Sequence, residues 1–212
     1  MAELYDAIVN GDAKAAVRAT RSALEGGAGP QDLLNREMVP AMDDVGRRYE
    51  CEEYFVPELL LAARAMKGAL ELLRPLLAAG GAEPAGRVAI GTVKGDLHDI
   101  GKNIVAAMLE GAGFEVIDLG ADVPAERFIE AIRSSRVNLV CLSALLTVTM
   151  PSMKATIEAL SAAGVRGQVK VMVGGAPVTQ RFADQIGADG YGENAASAVS
   201  VARQLVAVHE AA

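Results

Sequence analysis

The sequence predicts an α/β protein in which a helical bundle precedes a doubly wound parallel sheet of five strands. Two observations carry this prediction. Apolar residues recur every three or four positions through the first third of the 212-residue chain, as on the buried face of a helix. After a glycine-rich stretch, short runs of Val, Ile and Leu alternate with helical stripes. Such alternation, with short loops, is typical of a parallel sheet covered on both faces.

The first part of the chain is predicted to form about four helices. Its apolar stripes are interrupted at Gly11, at the stretch GGAGP (26–30) and around ECEEYFVP (50–57). Asn10 and Asp12 stand where a side chain can cap the start of the second helix. The stripes on either side of these breaks indicate helices that pack on one another as a small bundle.

The stretch LLAAGGAEPAGR (76–87) separates the two patterns, because its glycines and its proline interrupt both of them. We expect a helical bundle domain at 1–85, a linker centred on 78–87, and a Rossmann- or flavodoxin-like domain at 86–212. The second domain has five predicted strands, in the runs RVAIGTV, EVIDLG, NLVCLSAL, VKVMVGG and ADGYG. In sheets of this kind, ligands bind outside the carboxyl ends of the strands.

Composition narrows the class of protein. The net charge is −7, so nothing indicates a basic surface for nucleic acid. No apolar run is long enough to suggest a membrane span, and the first residues lack the order of a signal peptide, so we expect a cytoplasmic protein. Cys51 and Cys141 are the only cysteines and lack metal-ligand spacing, which favours buried or incidental thiols over a redox site.

Three predicted loops at the ligand edge of the sheet carry distinctive residues. Asp96-x-His98-x-x-Gly101 follows the first strand, Ser143-Ala144-Leu145 ends the third, and Gly174-Gly175 ends the fourth. Imidazole is a good ligand for transition metals. Taken alone, Asp96 and His98 also fit a helix cap beside a solvent-exposed histidine. The three loops together favour a ligand site.

This set of motifs resembles the cobalamin-binding fingerprint of the methyltransferase corrinoid proteins and of cobalamin-dependent methionine synthase. The helical segment MVPAMDDVGRRYECEEYFVPELLLAARAMKGALELLRPLL (38–77) is similar to the helical cap that precedes their cobalamin domain. The resemblance therefore covers both parts of the chain, in the same order. It implies a bound cobalamin or related corrinoid in the base-off, His-on form.

The resemblance assigns roles to residues of this chain. His98 is the lower axial ligand of cobalt, Asp96 accepts the second ring N–H of that imidazole, and Thr149 stands where methionine synthase has a serine that extends the relay. The displaced nucleotide tail and the corrin edge are expected to lie against a larger set: Asp99, Gly101, Lys102, Ser143, Leu145, Thr147, Gly174, Gly175, Ala176 and Tyr191. Tyr49 and Val56 take the cap positions that rest on the methyl face, although both also fit an ordinary bundle core.

The resemblance implies a methyl carrier. A substrate-specific methyltransferase loads a methyl group onto cobalt(I), and a second methyltransferase passes it to tetrahydrofolate or a thiol, with a reductive activase as a further partner. Two alternatives share the fingerprint: the cobalamin subunit of a radical mutase, which has a barrel over that face, and a cobalamin-responsive regulator. Acidic residues outnumber basic ones in 1–85, which disfavours DNA binding. The sequence does not identify the methyl donor.

Overall fold

The structure, a computed structural model, describes residues 2–80 and 84–210 of the chain. It divides into two units, Met1–Pro84 with Ala107–Gly113, and Ala85–Ala106 with Phe114–Ala212. The expected domain boundaries stay a prediction. Residues 81–83, the middle of the expected linker, lie outside the described residues.

Four helical stretches form the first unit, as the apolar spacing predicts. Asp12 caps the second helix, because its Oδ1 accepts a hydrogen bond from the Ala15 N–H at 2.9 Å. Gly11, at a φ of +69°, makes the preceding turn, and a Cβ there would lie 2.6 Å from the Cβ of Leu61. The helices are α1 (Ala2–Val9), α2 (Ala13–Glu25), α3 (Pro30–Leu33) continuing into α4 (Val39–Glu50), and α5 (Val56–Ala79).

A π-helical turn, Leu34–Met38, joins α3 to α4 and was not predicted. The Val39 N–H donates to the Leu34 carbonyl, five residues back. Pro40 follows immediately and has no N–H to donate, so the ordinary α-helical hydrogen bonding is already interrupted here. The sequence showed the proline but not the wider turn next to it.

The second unit is the predicted parallel sheet of five strands, in the order β2-β1-β3-β4-β5. This is the flavodoxin-like order, with the change of direction between β1 and β3. The strands are β1 (Arg87–Thr92), β2 (Glu115–Asp118), β3 (Leu139–Ser143), β4 (Lys170–Gly174) and β5 (Gly190–Gly192). The helices that alternate with these strands are α6 (Ile100–Gly111), whose residues 107–111 belong to the first unit, α7 (Ala125–Ser135), α8 (Pro151–Ala162), α9 (Gln180–Ile186) and α10 (Ala195–Glu210).

Alternation along the strands sends side chains to both faces of the sheet. Val140, Leu142 and Val171 pack with residues of α7, α8 and α9 in one apolar cluster. Helix α10 packs closely on β5. A Cβ added to Gly190 would lie 2.7 Å from Val201, and one added to Gly192 would lie 2.9 Å from Ala198. Both faces are therefore covered, which leaves the carboxyl edge of the sheet as the accessible part.

Cys141 is buried in β3, where burial raises the pKa of its thiol, and Cys51 is exposed. Within 2–80 and 84–210, no helix has both the length and the apolar character that a membrane crossing requires.

Candidate corrinoid site

His98 lies in the loop between β1 and α6, at the carboxyl edge of the sheet. Hydrogen bonds fix this loop to its neighbours. The Val93 N–H donates to the Ser143 carbonyl at 3.0 Å, and the buried Thr92 hydroxyl donates to the His98 carbonyl at 2.9 Å. Gly95, at a φ of +87°, turns the chain away from the strand. The histidine is thus held at the sheet edge by backbone contacts as well as by its own side chain.

Asp96 is fully buried and receives hydrogen bonds from two loops. Its Oδ1 accepts the His98 backbone N–H at 3.0 Å and the His98 ring Nδ1 at 2.8 Å. Its Oδ2 accepts the Leu145 N–H at 2.8 Å and the Thr149 hydroxyl at 2.7 Å, with the Leu146 N–H at 3.3 Å. The carboxylate thereby connects the β1 loop to the loop after β3.

These contacts determine the charge of Asp96 and the tautomer of His98. Burial alone would raise the pKa of Asp96, but hydrogen bonds from Thr149, Leu145 and His98 hold this pKa well below its ordinary value. An ionised carboxylate only accepts, so His98 Nδ1 carries a proton, and in this Nδ1–H tautomer the lone pair lies on Nε2. Among the described residues Nε2 has no partner, and the His98 side chain is 51% exposed. The ring is oriented to donate that lone pair outward.

Thr149→Val should destabilise the apoprotein by about 1.5–3 kcal/mol at neutral pH, the range for a hydrogen bond to a charged group. Because the folded-state pKa of Asp96 is depressed, its ionisation stabilises the fold above about pH 4, and this contribution is lost as pH falls through the folded-state value. The difference between the variant and the parent should therefore shrink in acid. Urea unfolding at a series of pH values measures it.

Thr147→Val is the matched control, since Thr147 is exposed and its hydroxyl has no partner among the described residues. Its stability should stay within about 0.5 kcal/mol of the parent. Equal losses for the two variants, or a Thr149→Val loss that persists unchanged in acid, would contradict the role given to the Asp96 contact.

Several apolar side chains near His98 in the chain, and in the loop that Asp96 connects to it, are exposed. Leu97, Ile100 and Val148 are 77%, 76% and 79% exposed, and Leu145 and Leu146 are also exposed. Four of them lie in the two loops that Asp96 connects, and Ile100 is the first residue of α6. So many large apolar side chains exposed in two neighbouring segments favour a binding site there. A large, flat, largely apolar macrocycle with a metal at its centre fits such a surface, since one imidazole supplies an axial ligand to a metal whose other ligands belong to the cofactor.

The remaining residues expected at the nucleotide tail and the ligand edge differ in accessibility. Ser143 is half-buried at the end of β3, and its hydroxyl has no partner among the described residues. Thr147, Asp99 and Ala176 are exposed. Tyr191, in β5, is half-buried against the apolar cluster, and burial together with Glu193 raises the pKa of its phenol. The first four are available to a ligand, and all five assignments stay predictions.

The three expected glycines occupy different environments. A Cβ on Gly175, whose φ is +128°, would lie 1.9 Å from the Ala144 carbonyl oxygen, and one on Gly174 would lie 2.9 Å from that of Gly192. Both glycines are therefore required by contacts within the protein itself. Gly101 differs, because a Cβ there would have no neighbour within 4 Å. Of these three glycines, only Gly101 has open space where a Cβ would stand.

Lys102 was expected at the ligand edge, but its side chain is buried and its Nζ is occupied. Nζ donates to Asp118 Oδ1 and to Asn103 Oδ1, both at 2.6 Å. Asp118, at the end of β2, and Asp122, in the loop that follows, were not singled out from the sequence. Asp122 Oδ1 accepts the Gly95 N–H at 2.7 Å. No motif spacing marks these two acids, since their contacts depend on how β2 pairs with β1.

The cap residues Tyr49 and Val56 lie in the helical unit. Tyr49, in α4, is half-buried, and Val56, the first residue of α5, is exposed beside Phe55. Val56 is therefore not an ordinary core residue of the bundle. The role of both residues toward a cofactor stays a prediction.

A doubly wound sheet that carries an oriented imidazole and exposed apolar side chains at its carboxyl edge is suited to binding a cofactor. Comparison with known proteins specifies the cofactor. The B12 binding domain family matches residues 86–200, and a second B12 binding domain family matches 1–74. The chain belongs to the B12-binding corrinoid protein family and binds a corrinoid, which confirms the resemblance inferred from the motifs.

Relatives match nearly the whole chain. Trimethylamine corrinoid protein 1 of Methanosarcina acetivorans is 43% identical over 97% of this chain and 96% of its own length. Dimethylamine corrinoid protein 1 of the same organism is 42% identical over the same shares. Among solved structures, the methanol:cobalamin methyltransferase complex MtaBC from Methanosarcina barkeri matches with a TM-score of 0.85 and 33% identity, over 97% of this chain and 78% of that one. A cobalamin-binding protein from Desulfitobacterium hafniense matches with a TM-score of 0.79 and 33% identity, over 95% and 96%.

Proposed function

We propose that this corrinoid protein is a methyl carrier in which His98 is the lower axial ligand of cobalt, in the base-off, His-on arrangement. One observation carries the ligand assignment. The buried, ionised Asp96 holds the proton of His98 on Nδ1 at 2.8 Å and leaves the exposed Nε2 as an electron-pair donor. A metal-bound imidazole in proteins commonly has this kind of partner on its other nitrogen.

The bound corrinoid supplies a cobalt centre that accepts a methyl group and releases it again. The residues of this chain control the lower side of that centre. Asp96 fixes the His98 tautomer, and Thr149 supplies a third member of the relay through its 2.7 Å hydrogen bond to Asp96 Oδ2. The Leu145 N–H and the His98 backbone N–H hold the same carboxylate in place. Because all of these donors are fixed before the cofactor arrives, ligation requires little rearrangement of the protein.

The nucleotide tail, displaced from cobalt by His98, is proposed to enter between the loops after β1, β3 and β4. The free Ser143 hydroxyl and the exposed Thr147 supply polar contacts there. The open space above Gly101 allows close approach to the backbone at the start of α6.

A substrate-specific methyltransferase is the proposed partner that loads the methyl group. A second methyltransferase, with tetrahydrofolate or a thiol as acceptor, and a reductive activase complete the cytoplasmic system. The donor does not follow from overall identity, because a trimethylamine and a dimethylamine corrinoid protein match this chain equally well, at 43% and 42%. Donor choice therefore resides in the partner enzyme and its docking surface.

Loading the apoprotein with hydroxocobalamin and assaying methyl transfer tests this function. The assay presents trimethylamine, dimethylamine and methanol, each with its methyltransferase, to the reduced protein. We expect one corrinoid per chain and methylation by at least one of these pairs. A protein that binds no corrinoid, or whose reduced corrinoid accepts a methyl group from none of them while a known corrinoid protein does so in parallel, would contradict the proposal.

Gly101→Ala should have opposite effects on folding and on binding. No atom lies within 4 Å of the added Cβ and the position is helical, so the apoprotein should be unchanged or up to about 1 kcal/mol more stable. Corrinoid affinity should fall about tenfold if the cofactor approaches the backbone there. Thermal melting and equilibrium binding measure the two effects.

Gly167→Ala serves as the control, because Gly167 also has no neighbour within 4 Å but lies in the 3₁₀ turn Arg166–Gln168, at the opposite end of β4. Its corrinoid affinity should match the parent. Unchanged affinity in Gly101→Ala would remove Gly101 from the cofactor site.

A further inference from the structure

We propose that Asp118, the last residue of β2, and Asp122, in the loop that follows, are positioning residues for the cobalt ligand. They hold the two ends of the segment 95–102 that carries His98. This inference rests on the proposed ligand role of His98 and adds two acids to which neither the motifs nor the comparisons assign a role.

Asp122 holds the beginning of the segment. Its Oδ1 accepts the Gly95 N–H at 2.7 Å, and its backbone N–H donates to the Asp96 carbonyl at 2.9 Å. Asp122 therefore binds the backbone of both Gly95 and Asp96, the residue that carries the relay carboxylate. Asp122 has a φ of +55°, a left-handed conformation that Asp and Asn tolerate better than most residues. The backbone strain and the two hydrogen bonds occur at the same residue.

Asp118 holds the end of the segment through Lys102. The Lys102 side chain is 1% exposed, so its ammonium needs acceptors within the protein. It finds them in Asp118 and Asn103 at 2.6 Å. Asp118 Oδ1 also accepts the Gly120 N–H at 2.9 Å, which fixes the carboxylate relative to the loop after β2. The first turn of α6 is thereby connected to the end of β2.

The two ends of the His98 segment are therefore anchored to the end of β2 and to the loop that directly follows it. Anchored ends reduce the number of conformations available to the residues between them. His98 Nδ1 must stay within hydrogen-bonding distance of Asp96 Oδ1 for Nε2 to keep its lone pair and direction. A segment with one end released should sample positions in which this contact is broken, and the fraction of protein with His98 on cobalt should fall.

Three substitutions of Asp122 separate its hydrogen bond from its backbone strain. Asp122→Asn keeps an acceptor oxygen and tolerates a positive φ. Asp122→Gly relieves the strain but removes the acceptor, and Asp122→Ala removes the acceptor and keeps the strain. We expect the ratio of His-on to His-off protein to stay within about twofold of the parent in Asp122→Asn. It should fall about three- to tenfold in the other two variants, the effect of one ordinary hydrogen bond.

The ratio is measured from the nitrogen hyperfine signal of the cobalt(II) form in protein labelled with ¹⁵N-histidine. A parent-like ratio in Asp122→Gly would overturn the proposal, because the acceptor would then be dispensable. So would equal losses in Asp122→Asn and Asp122→Ala. Lys102→Met tests the second anchor. This variant removes the ammonium, while Asp118 is partly exposed and stays solvated. An unchanged ratio of His-on to His-off protein in Lys102→Met would overturn the role of Asp118.

A measurement on the apoprotein separates this inference from the ligand assignment. The chain has only two histidines, so ¹⁵N chemical shifts report the tautomer of His98 directly, with His209→Ala as an assignment control. At about two pH units above the ordinary histidine pKa, the Nδ1–H tautomer should dominate in the parent and in Asp122→Asn, and decline in Asp122→Gly. Failure of the ligand assignment would leave this result intact, whereas identical tautomer populations in all variants would overturn the positioning role itself.

Discussion

His98→Ala is expected to abolish the hyperfine signal of a protein imidazole in the cobalt(II) spectrum of the corrinoid-loaded protein. The ring is 51% exposed, and Nε2 has no partner in the described part of the chain. Its removal takes away the imidazole nitrogen that Asp96 orients for ligation. Because the corrin ring itself holds the cobalt, the hyperfine signal, and not the overall corrinoid affinity, is the direct measure of this ligation.

The other histidine provides the control. His209→Ala should leave the hyperfine signal and the affinity unchanged, since these are the only two histidines of the chain. Folding of the His98 variant is checked by thermal melting of the apoprotein. We expect a loss of about 1.5–3 kcal/mol, as for Thr149→Val, because the ring hydrogen bond to the buried Asp96 carboxylate is removed while the backbone donors remain. An unchanged signal in His98→Ala, with ¹⁵N-histidine labelling to identify the source, would refute the ligand assignment.

Asp96→Asn complements this experiment without removing the imidazole. An amide has one acceptor oxygen where the carboxylate has two, so it cannot satisfy the donors that now reach Asp96 from both loops. The His98 ring would lose its fixed tautomer while keeping both nitrogens.

The sequence predicted the fold well because the relevant signals are local. Each buried strand, such as β3, is a short apolar segment of the sequence, and each helix has an apolar stripe that recurs every three or four residues. Short, right-handed crossovers are common to all doubly wound sheets, so the particular order β2-β1-β3-β4-β5 was not predicted. The π-helical turn at Leu34–Met38 was missed, since it reflects how the helix accommodates Pro40 rather than any repeat.

The site was predictable only in part. The spacing of Asp96 and His98 places both in one loop, and the structure brings the Thr149 hydroxyl to 2.7 Å from Asp96 although 53 positions separate them. The pairing of Asp96 with Thr149 was predicted from the resemblance to the family. Lys102 shows the limit, because its sequence position predicts a place at the ligand edge, whereas the structure buries its side chain and pairs its ammonium with the partly exposed Asp118. A contact that depends on the register of two strands leaves no trace in local spacing.

Gly175→Ala is expected to be among the most damaging single substitutions in the second unit. The added Cβ would lie 1.9 Å from the Ala144 carbonyl oxygen and 2.9 Å from its carbon, distances that no rotamer change relieves, because both partners are backbone. The φ of +128° adds strain for any residue with a Cβ. The loops after β3 and β4 would have to separate, and we expect a loss of more than about 3 kcal/mol of folding free energy.

The same displacement should reach the cofactor site. Ala144 immediately precedes Leu145, whose N–H donates to Asp96 Oδ2 at 2.8 Å. Any variant protein that folds should therefore hold Asp96 and His98 less firmly and bind corrinoid more weakly. Gly187→Ala is the control, since Gly187 also has a positive φ, +76°, but no neighbour within 4 Å. It should lose about 1 kcal/mol and keep its affinity. Urea unfolding of both apoproteins measures the difference, and equal stability of the two variants would show that the close approach of Gly175 to Ala144 does not hold these loops together.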